Sequence, residues 1–383
     1  LISAVKVLGI MSGTSIDGVD YALCEVSARS VKLLEHWSRE FPKKLQQRLH
    51  AAAANDCASH ELAQMHHDLG RLFARQAKSL RARSELVGLH GQTVFHNPDR
   101  RAPATLQIGE PAYLAEALRV PVISSFRVAD IAAGGQGAPL ATLFHKIVFA
   151  RRGEHVCVNN LGGISNVTSL DWKHGKQPRI LAFDTGPANV LIDFAMRELT
   201  RGEQSCDKGG AWAARGHVDE RLIAHWLAHP FFRAKPPKST GREMFGEAFW
   251  RVEQKRVCAA RLSRFDVIAT LTEFTARSLA RNYRLHLPSI PDSVVLCGGG
   301  AKYPALVARI DAALKQMNRA TRVSTSEDFG WPTQAIEASA FALLAYYRWR
   351  ELPANIPETT GASHAVLLGQ VTQSIGGTSS TNP

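Results

Sequence analysis

The chain has 383 residues, 45% hydrophobic and 21% charged, a balance that fits a globular protein of about two domains. Six cysteines (Cys24, Cys57, Cys157, Cys206, Cys258, Cys297) form no CxxC pair; no run reaches the roughly 18 apolar residues of a membrane span and no signal-peptide pattern opens the chain, so a reducing cytoplasm is expected, without zinc, disulfides or a membrane. The net charge of +12 is spread over pairs such as Lys43-Lys44, Arg100-Arg101 and Arg151-Arg152, which reads as a basic surface favouring anionic substrates, not as a nucleic-acid binder.

The first 30 residues read as a β-hairpin. An apolar run (Val5, Val7, Leu8, Ile10) enters Gly13-Thr14-Ser15-Ile16-Asp17-Gly18-Val19-Asp20, and a second run (Val19, Tyr21, Leu23) leaves it. Such a turn brings backbone N–H groups close to a phosphate, and its carboxylates can hold a hydrated Mg²⁺. An ordinary Ser/Gly/Asp hairpin turn is the alternative. Residues 40–83 read as helical, from Leu45, Leu49, Leu62, Met65, Leu69, Leu72 and Phe73. A short strand at 85–89 runs into His90-Gly91-Gln92-Thr93. Another at 105–108 ends in Gly109-Glu110-Pro111 before a helix at 113–118. A strand at 120–124 leads to Phe126-Arg127-Val128-Ala129-Asp130, a glycine-rich loop at 132–139 and a helix.

The second half repeats the pattern. A strand at 156–160 enters a turn with Asn160, Gly162 and Gly163, and a strand at 180–183 ends in Asp184-Thr185-Gly186-Pro187-Ala188-Asn189 before a helix. A strand at 294–296 ends in Gly298-Gly299-Gly300, again before a helix, and the last helix covers 335–349. Strands alternating with helices indicate an α/β class. The expected division is residues 1–132, completed by about 350–383, and residues 133–349, with disorder over 376–383. Residues 9–23 and 159–168 echo each other as strand, glycine turn and strand. Two such turns facing each other would clasp the phosphates of a nucleotide, as in the actin, hexokinase and chaperone-ATPase superfold.

Asp184 is the first candidate for catalysis. A carboxylate at the end of a sheet strand projects into the crevice where α/β enzymes bind ligands, and can act as general base. Its alternative is a helix N-cap. Asp17 and Glu337 are candidate metal carboxylates, although Glu337 could simply face solvent from its helix. The triple glycine would let a flat base or sugar approach the backbone. His90, Gln92, Thr93 and Glu110 are polar groups at strand ends that could line a sugar pocket. Arg127 and Asp130 read as an ion pair holding the domain junction. Residues 236–243 pair Pro236-Pro237 with Lys238, Ser239, Thr240 and Arg242, either an anion-binding loop or a structural turn.

Residues 9–23, 90–93, 109–111, 126–139, 160–166, 183–189, 207–216, 236–245 and 297–301, with the Glu337 helix, resemble the anhydro-N-acetylmuramic acid kinase family in order and over nearly the whole chain. The resemblance implies an actin-like/hexokinase-like (ASKHA) two-domain sugar-kinase fold with a deep interdomain cleft, often dimeric, using ATP and Mg²⁺. It implies an anhydrosugar from cell-wall recycling, whose 1,6-anhydro ring opens as its 6-oxygen is phosphorylated. Asp184 would activate the attacking water. Residues 13–20, Asn160, Gly162, Gly163 and Gly298-Gly299-Gly300 would bind ATP, with Asp17 near the metal. Thr93, Glu110 and Glu337 match positions lining the sugar or metal region. The family commonly has a second glycine where this chain has Ala188, which is tolerable at negative φ. Levoglucosan kinase, typically a longer chain, shares most of these motifs, and a non-catalytic actin-like ATP-binding regulator is the alternative from another class.

Overall fold

A computed structural model of the chain describes residues 4–80, 83–99 and 101–373. The expectation for residues 376–383 lies outside them. The chain divides into two units, one ending at Val148 and resuming at Gln334, the other running from Phe149 to Thr333. The expected limits of 132 and 349 therefore differ from these, because the helix after the glycine-rich loop stays with the first unit and the last helix returns to it from its start.

In the first unit β1 (Val5–Ser12), β2 (Gly18–Val26) and β3 (Val31–Glu40) form an antiparallel meander, one strand more than the expected hairpin. Helices α1 (Lys43–Ala53) and α2 (Ser59–Ser79) carry the chain back so that β4 (Leu86–Asn97) pairs parallel to β1, as a parallel connection requires. The apolar stripe of α2, Met65, Leu69, Leu72 and Phe73, is buried against Ile10, Tyr21 and Leu89 in one core. Strand β5 (Ala104–Ile108) pairs antiparallel to β4, α3 (Ala112–Leu118) follows, and β6 (Val122–Ser124) pairs parallel to β4. Helices α4 (Val128–Ala132) and α5 (Thr142–Phe149) end this stretch.

The second unit repeats the plan. Strands β7 (His155–Leu161), β8 (Ile164–Asp171) and β9 (Arg179–Pro187) make the meander. Helices α6 (Asn189–Leu199), α7 (Glu220–Leu227), α8 (Glu247–Ala259) and α9 (Arg264–His286) precede β10 (Ser293–Cys297), and α10 (Pro304–Met317) leads to β11 (Arg322–Thr325). Both β10 and β11 are parallel additions beside β7. A capping box, Ser263 with Asp266, starts α9. The chain then returns to the first unit through α11 (Thr333–Trp349), α12 (Pro357–Thr360) and β12 (Gln370–Thr372), which pairs with β6.

The strands lie in the order β12-β6-β4-β1-β2-β3 in one sheet and β11-β10-β7-β8-β9 in the other. In each unit a three-stranded meander is extended from its first strand by two parallel strands. This shared topology is the duplicated actin-like α/β fold expected above. It places one glycine turn at the end of β1 and another at the end of β7, each between the first two strands of its unit.

Candidate active site

The turn after β1 is fastened through its carbonyls. Gly13 O accepts from Ile16 N–H (3.2 Å) and from Gln92 Nε2 (3.2 Å). Ile16 O accepts from Gln46 Nε2, Asp17 O from Phe41 N–H, and Gly18 O from the Ser12 hydroxyl. The N–H groups of Gly13, Thr14, Ser15 and Asp17 make no hydrogen bond among the described residues. A turn held by its acceptors and leaving its donors without protein partners has the form of an anion-binding concavity. Ile16 is buried at φ 59°, a conformation that strains a β-branched residue and marks functional turns.

Gln92 is one of the fasteners. It is fully buried, accepts from the Ser12 hydroxyl at 2.5 Å, and donates to Gly13 O and Thr93 O. His90 is buried as well: its Nδ1 donates to Gly91 O (2.9 Å) and its Nε2 accepts from Arg127 Nη2 (3.0 Å). Burial, then the Arg127 charge, pushes its pKa well down. Strand β4 does not stop before these residues. It runs through them with register shifts at His90 and Val94. Of the five side chains expected on the sugar, Gln92 thus bonds to the turn after β1 and His90 to Arg127.

Arg127 makes no ion pair with Asp130 among the described residues. Asp130 is fully buried and accepts from Gly137 N–H, Asn355 Nδ2 and the Thr360 hydroxyl, fixing the glycine-rich loop to the returning chain. Arg127 instead donates to Gly137 O and faces Glu337 electrostatically; burial lowers its pKa to about 10 and Glu337 opposes that. Glu337 is exposed on α11, yet crowding by surrounding protein raises its carboxyl pKa, with Asp20 raising it further and Arg127 lowering it. The carboxylate acting on Glu337 is Asp20, and Asp17 is exposed on the turn. Among the described residues no three His, Cys, Asp or Glu side chains gather as a metal cage. Asp20, whose Oδ1 also accepts from the Ser38 hydroxyl, and Glu337 influence each other electrostatically; one or two carboxylates suit an ion that keeps most of its waters, such as Mg²⁺. Half-buried Glu110 is held by His66 Nε2 (3.0 Å) and Ala112 N–H (2.9 Å), and Thr93 Oγ1 accepts from Gln107.

In the second unit Asp184 lies inside β9, three residues before its end. Asn166 pairs with Asp184 and Ser165 with Gly186, so Thr185 is an extra, bulged residue; such bulges re-aim neighbouring side chains. The N-cap reading falls: the residue at the start of α6 is Ala188, without a side-chain cap. Its φ of −110° accommodates the methyl group. Residues 236–243 lie along β9 as a strap. Asp184 N–H donates to Lys238 O (3.1 Å), and Thr240 N–H donates to Asp184 Oδ2 (2.8 Å). Oδ1 makes no hydrogen bond among the described residues. Burial raises the Asp184 pKa to about 6; the Thr240 bond lowers it, Glu243 raises it and Lys238 lowers it. The Lys238 ammonium donates to Phe231 O (3.1 Å) and lies 3.3 Å from His286 Nε2, with the Phe231 ring 4.5 Å away; burial lowers its pKa to about 8. A largely desolvated carboxylate with one oxygen anchored and the other without a hydrogen bond suits a general base near neutral pH.

The glycine turns of this unit adjoin at the ends of the parallel strands β7 and β10, where Asn160 pairs with Cys297. The carbonyls of Gly162 and Gly163 accept the first N–H groups of α6 (Asn189 at 3.0 Å, Ala188 at 2.9 Å). Gly298 has φ 81°, and a Cβ there would overlap Asn160 Oδ1, so only glycine closes this turn.

The sequence profile of the family described as anhydro-N-acetylmuramic acid kinase matches residues 5–374. The chain belongs to the anhydro-N-acetylmuramic acid kinase family. It is 41% identical to the anhydro-N-acetylmuramic acid kinase of Picosynechococcus sp. over 96% of this chain and 99% of the relative. It is 42% identical to that of Acaryochloris marina over 95% of this chain and 99% of the relative. The sequence reading missed four contacts: His66, which holds Glu110; Arg127, read with Asp130, as the cation acting on Glu337; and Lys238 and Thr240, read as part of a loop, on Asp184. The strap carried a signal in its Pro-Pro and clustered cations, and Arg127 one in its spacing from Asp130; His66 carried none.

Proposed function

We propose that this chain is an ATP-dependent kinase that opens the 1,6-anhydro ring of anhydro-N-acetylmuramic acid and phosphorylates its 6-oxygen, giving N-acetylmuramic acid 6-phosphate and ADP. The observation that carries the reading is Asp184, a half-buried carboxylate with Oδ2 held by a backbone N–H and a pKa raised to about 6. Asp184 takes a proton from water as the water oxygen bonds to the anomeric carbon. The bond from that carbon to the 6-oxygen breaks, and the departing oxygen takes the γ-phosphoryl group of ATP. The leaving oxygen is the phosphoryl acceptor, so one positioned base serves both bond changes. The N–H groups of Gly13, Thr14, Ser15 and Asp17 receive the phosphates, aided by the turns at Gly162-Gly163 and Gly298-Gly299-Gly300. Asp17, Asp20 and Glu337 are the carboxylates that would hold Mg²⁺ through its waters, and the ion would supply positive charge against the triphosphate. Thr93, Glu110 and Arg127 orient the sugar, with His90 and Gln92 behind them.

ADP release with purified anhydro-N-acetylmuramic acid and with levoglucosan tests the reading. Turnover of the muramic compound is expected; turnover of levoglucosan alone would overturn it. We also infer a cytoplasmic homodimer serving cell-wall recycling. Among the described residues no helix is long and apolar enough to cross a membrane. Sedimentation velocity should give a species of twice the chain mass, and a monomer would refute the dimer.

A further inference from the structure

We propose that Gln107 is a further sugar-binding residue, gripping the C4 hydroxyl of the anhydrosugar together with Thr93. The proposal rests on the reading of Thr93 as a sugar contact. Strands β4 and β5 pair Thr93 with Gln107 and His96 with Thr105, and the extra residue Val94 turns His96 to the face that carries Thr93. These four half-buried side chains form one chain of hydrogen bonds. Gln107 Nε2 donates to Thr93 Oγ1 (3.3 Å) and to Thr105 Oγ1 (2.8 Å), and Thr105 Oγ1 lies 3.0 Å from His96 Nδ1. Both hydrogens of the Gln107 amide are thereby spent, so its head is fixed and only its acceptor is left. Gln107 Oε1 makes no hydrogen bond among the described residues, yet it is not one of the unpartnered atoms sealed from solvent. The Thr93 hydroxyl oxygen accepts, and its own hydrogen has no acceptor among the described residues.

An open acceptor beside an open donor matches a hydroxyl, which donates and accepts at one oxygen. The planar amide keeps Gln107 Oε1 within roughly 5.5 Å of Thr93 Oγ1, so one hydroxyl oxygen can bond to both at about 2.8 Å. The N–H and C=O of an acetamido group point in opposite directions and cannot serve the pair. Anhydro-N-acetylmuramic acid has carbons 1 and 6 in the bridge, an acetamido group on C2 and a lactyl ether on C3, which leaves C4 as its one ring hydroxyl. That hydroxyl donates to Gln107 Oε1 and accepts from Thr93. A sugar substituted on that oxygen brings no donor and leaves Gln107 Oε1 unpaired, which a site built for a hydroxyl penalises heavily.

The 4-deoxy analogue of the substrate tests the contact, in a cycle with Gln107→Leu. The parent enzyme should lose about 10- to 100-fold in kcat/KM on the analogue, and Gln107→Leu a similar amount on the full substrate. Because both changes remove one contact, Gln107→Leu should treat the two sugars alike within about threefold, with KM for ATP within about twofold of the parent. A parent enzyme indifferent to the analogue, or losses that multiply in Gln107→Leu, would overturn the proposal. A merely structural role for Gln107 gives the second result, since it lowers turnover of both sugars without touching their ratio. Thermal melts check folding, and Thr93→Val runs the same cycle if Gln107→Leu does not fold. No turnover of the full substrate by the parent enzyme would instead overturn the reading on which the contact rests.

Discussion

Burial holds the Asp184 carboxyl at about 6 against its ordinary 3.8, with consequences of opposite sign for rate and stability. The base works only when deprotonated, so kcat/KM should rise about tenfold per pH unit below 6 and level off above it. The charged form is the one burial disfavours, so the destabilisation is present above the folded-state pKa and gone below 3.8. Asp184→Asn should abolish turnover and raise stability at pH 8 by on the order of 2 kcal/mol, a gain that vanishes near pH 4; denaturant titrations at the two pH values check it. Lys238 lowers the Asp184 pKa from within its box of Phe231 and His286. Lys238→Met should therefore move the acid limb to higher pH while the plateau is still reached. A limb unchanged in Lys238→Met would remove Lys238 from the electrostatics of the base.

At the scale of elements, close approaches decide what a substitution does. Gly9 of β1 lies against the backbone of α11, where a Cβ would overlap Ala338 O. Gly9→Ala should destabilise the protein by at least about 2 kcal/mol, read as a lower melting midpoint. Gly298→Ala meets both a positive φ and Asn160 Oδ1; it should raise KM for ATP more than that for the sugar. The strands and helices themselves were legible, because apolar runs such as Val294-Val295-Leu296 and the stripe of α2 are local signals. The bulges at His90, Val94 and Thr185 were not, since register depends on the partner strand. For the same reason sequence could not tell Gln92, whose bonds all go to protein, from a polar residue awaiting a ligand. The contact between Thr240 and Asp184 spans 56 residues and has no local pattern. The strap could be noticed, but its target could not.

At the scale of the molecule, the chain leaves its first unit at Val148 and returns to it at Gln334. The return supplies parts the first unit needs: α11 against Gly9, Asn355 and Thr360 on Asp130, and β12 beside β6. Residues 149–333 carry their own core, from Cys157 to Leu314. A fragment of residues 149–333 should therefore unfold cooperatively on its own, whereas residues 1–148 alone should not. The net charge of +12 belongs to this scale too and bears on anionic substrates, not on fold. Water attack at the anomeric carbon, with phosphate passing to the 6-oxygen, is the centre of the account. The reaction run in ¹⁸O-labelled water with ATP and anhydro-N-acetylmuramic acid, quenched early, tests it most directly. The label should appear on the anomeric oxygen of the 6-phosphate product and not in the phosphoryl group. Label in the phosphoryl group, or ATP hydrolysis with the ring left closed, would contradict it.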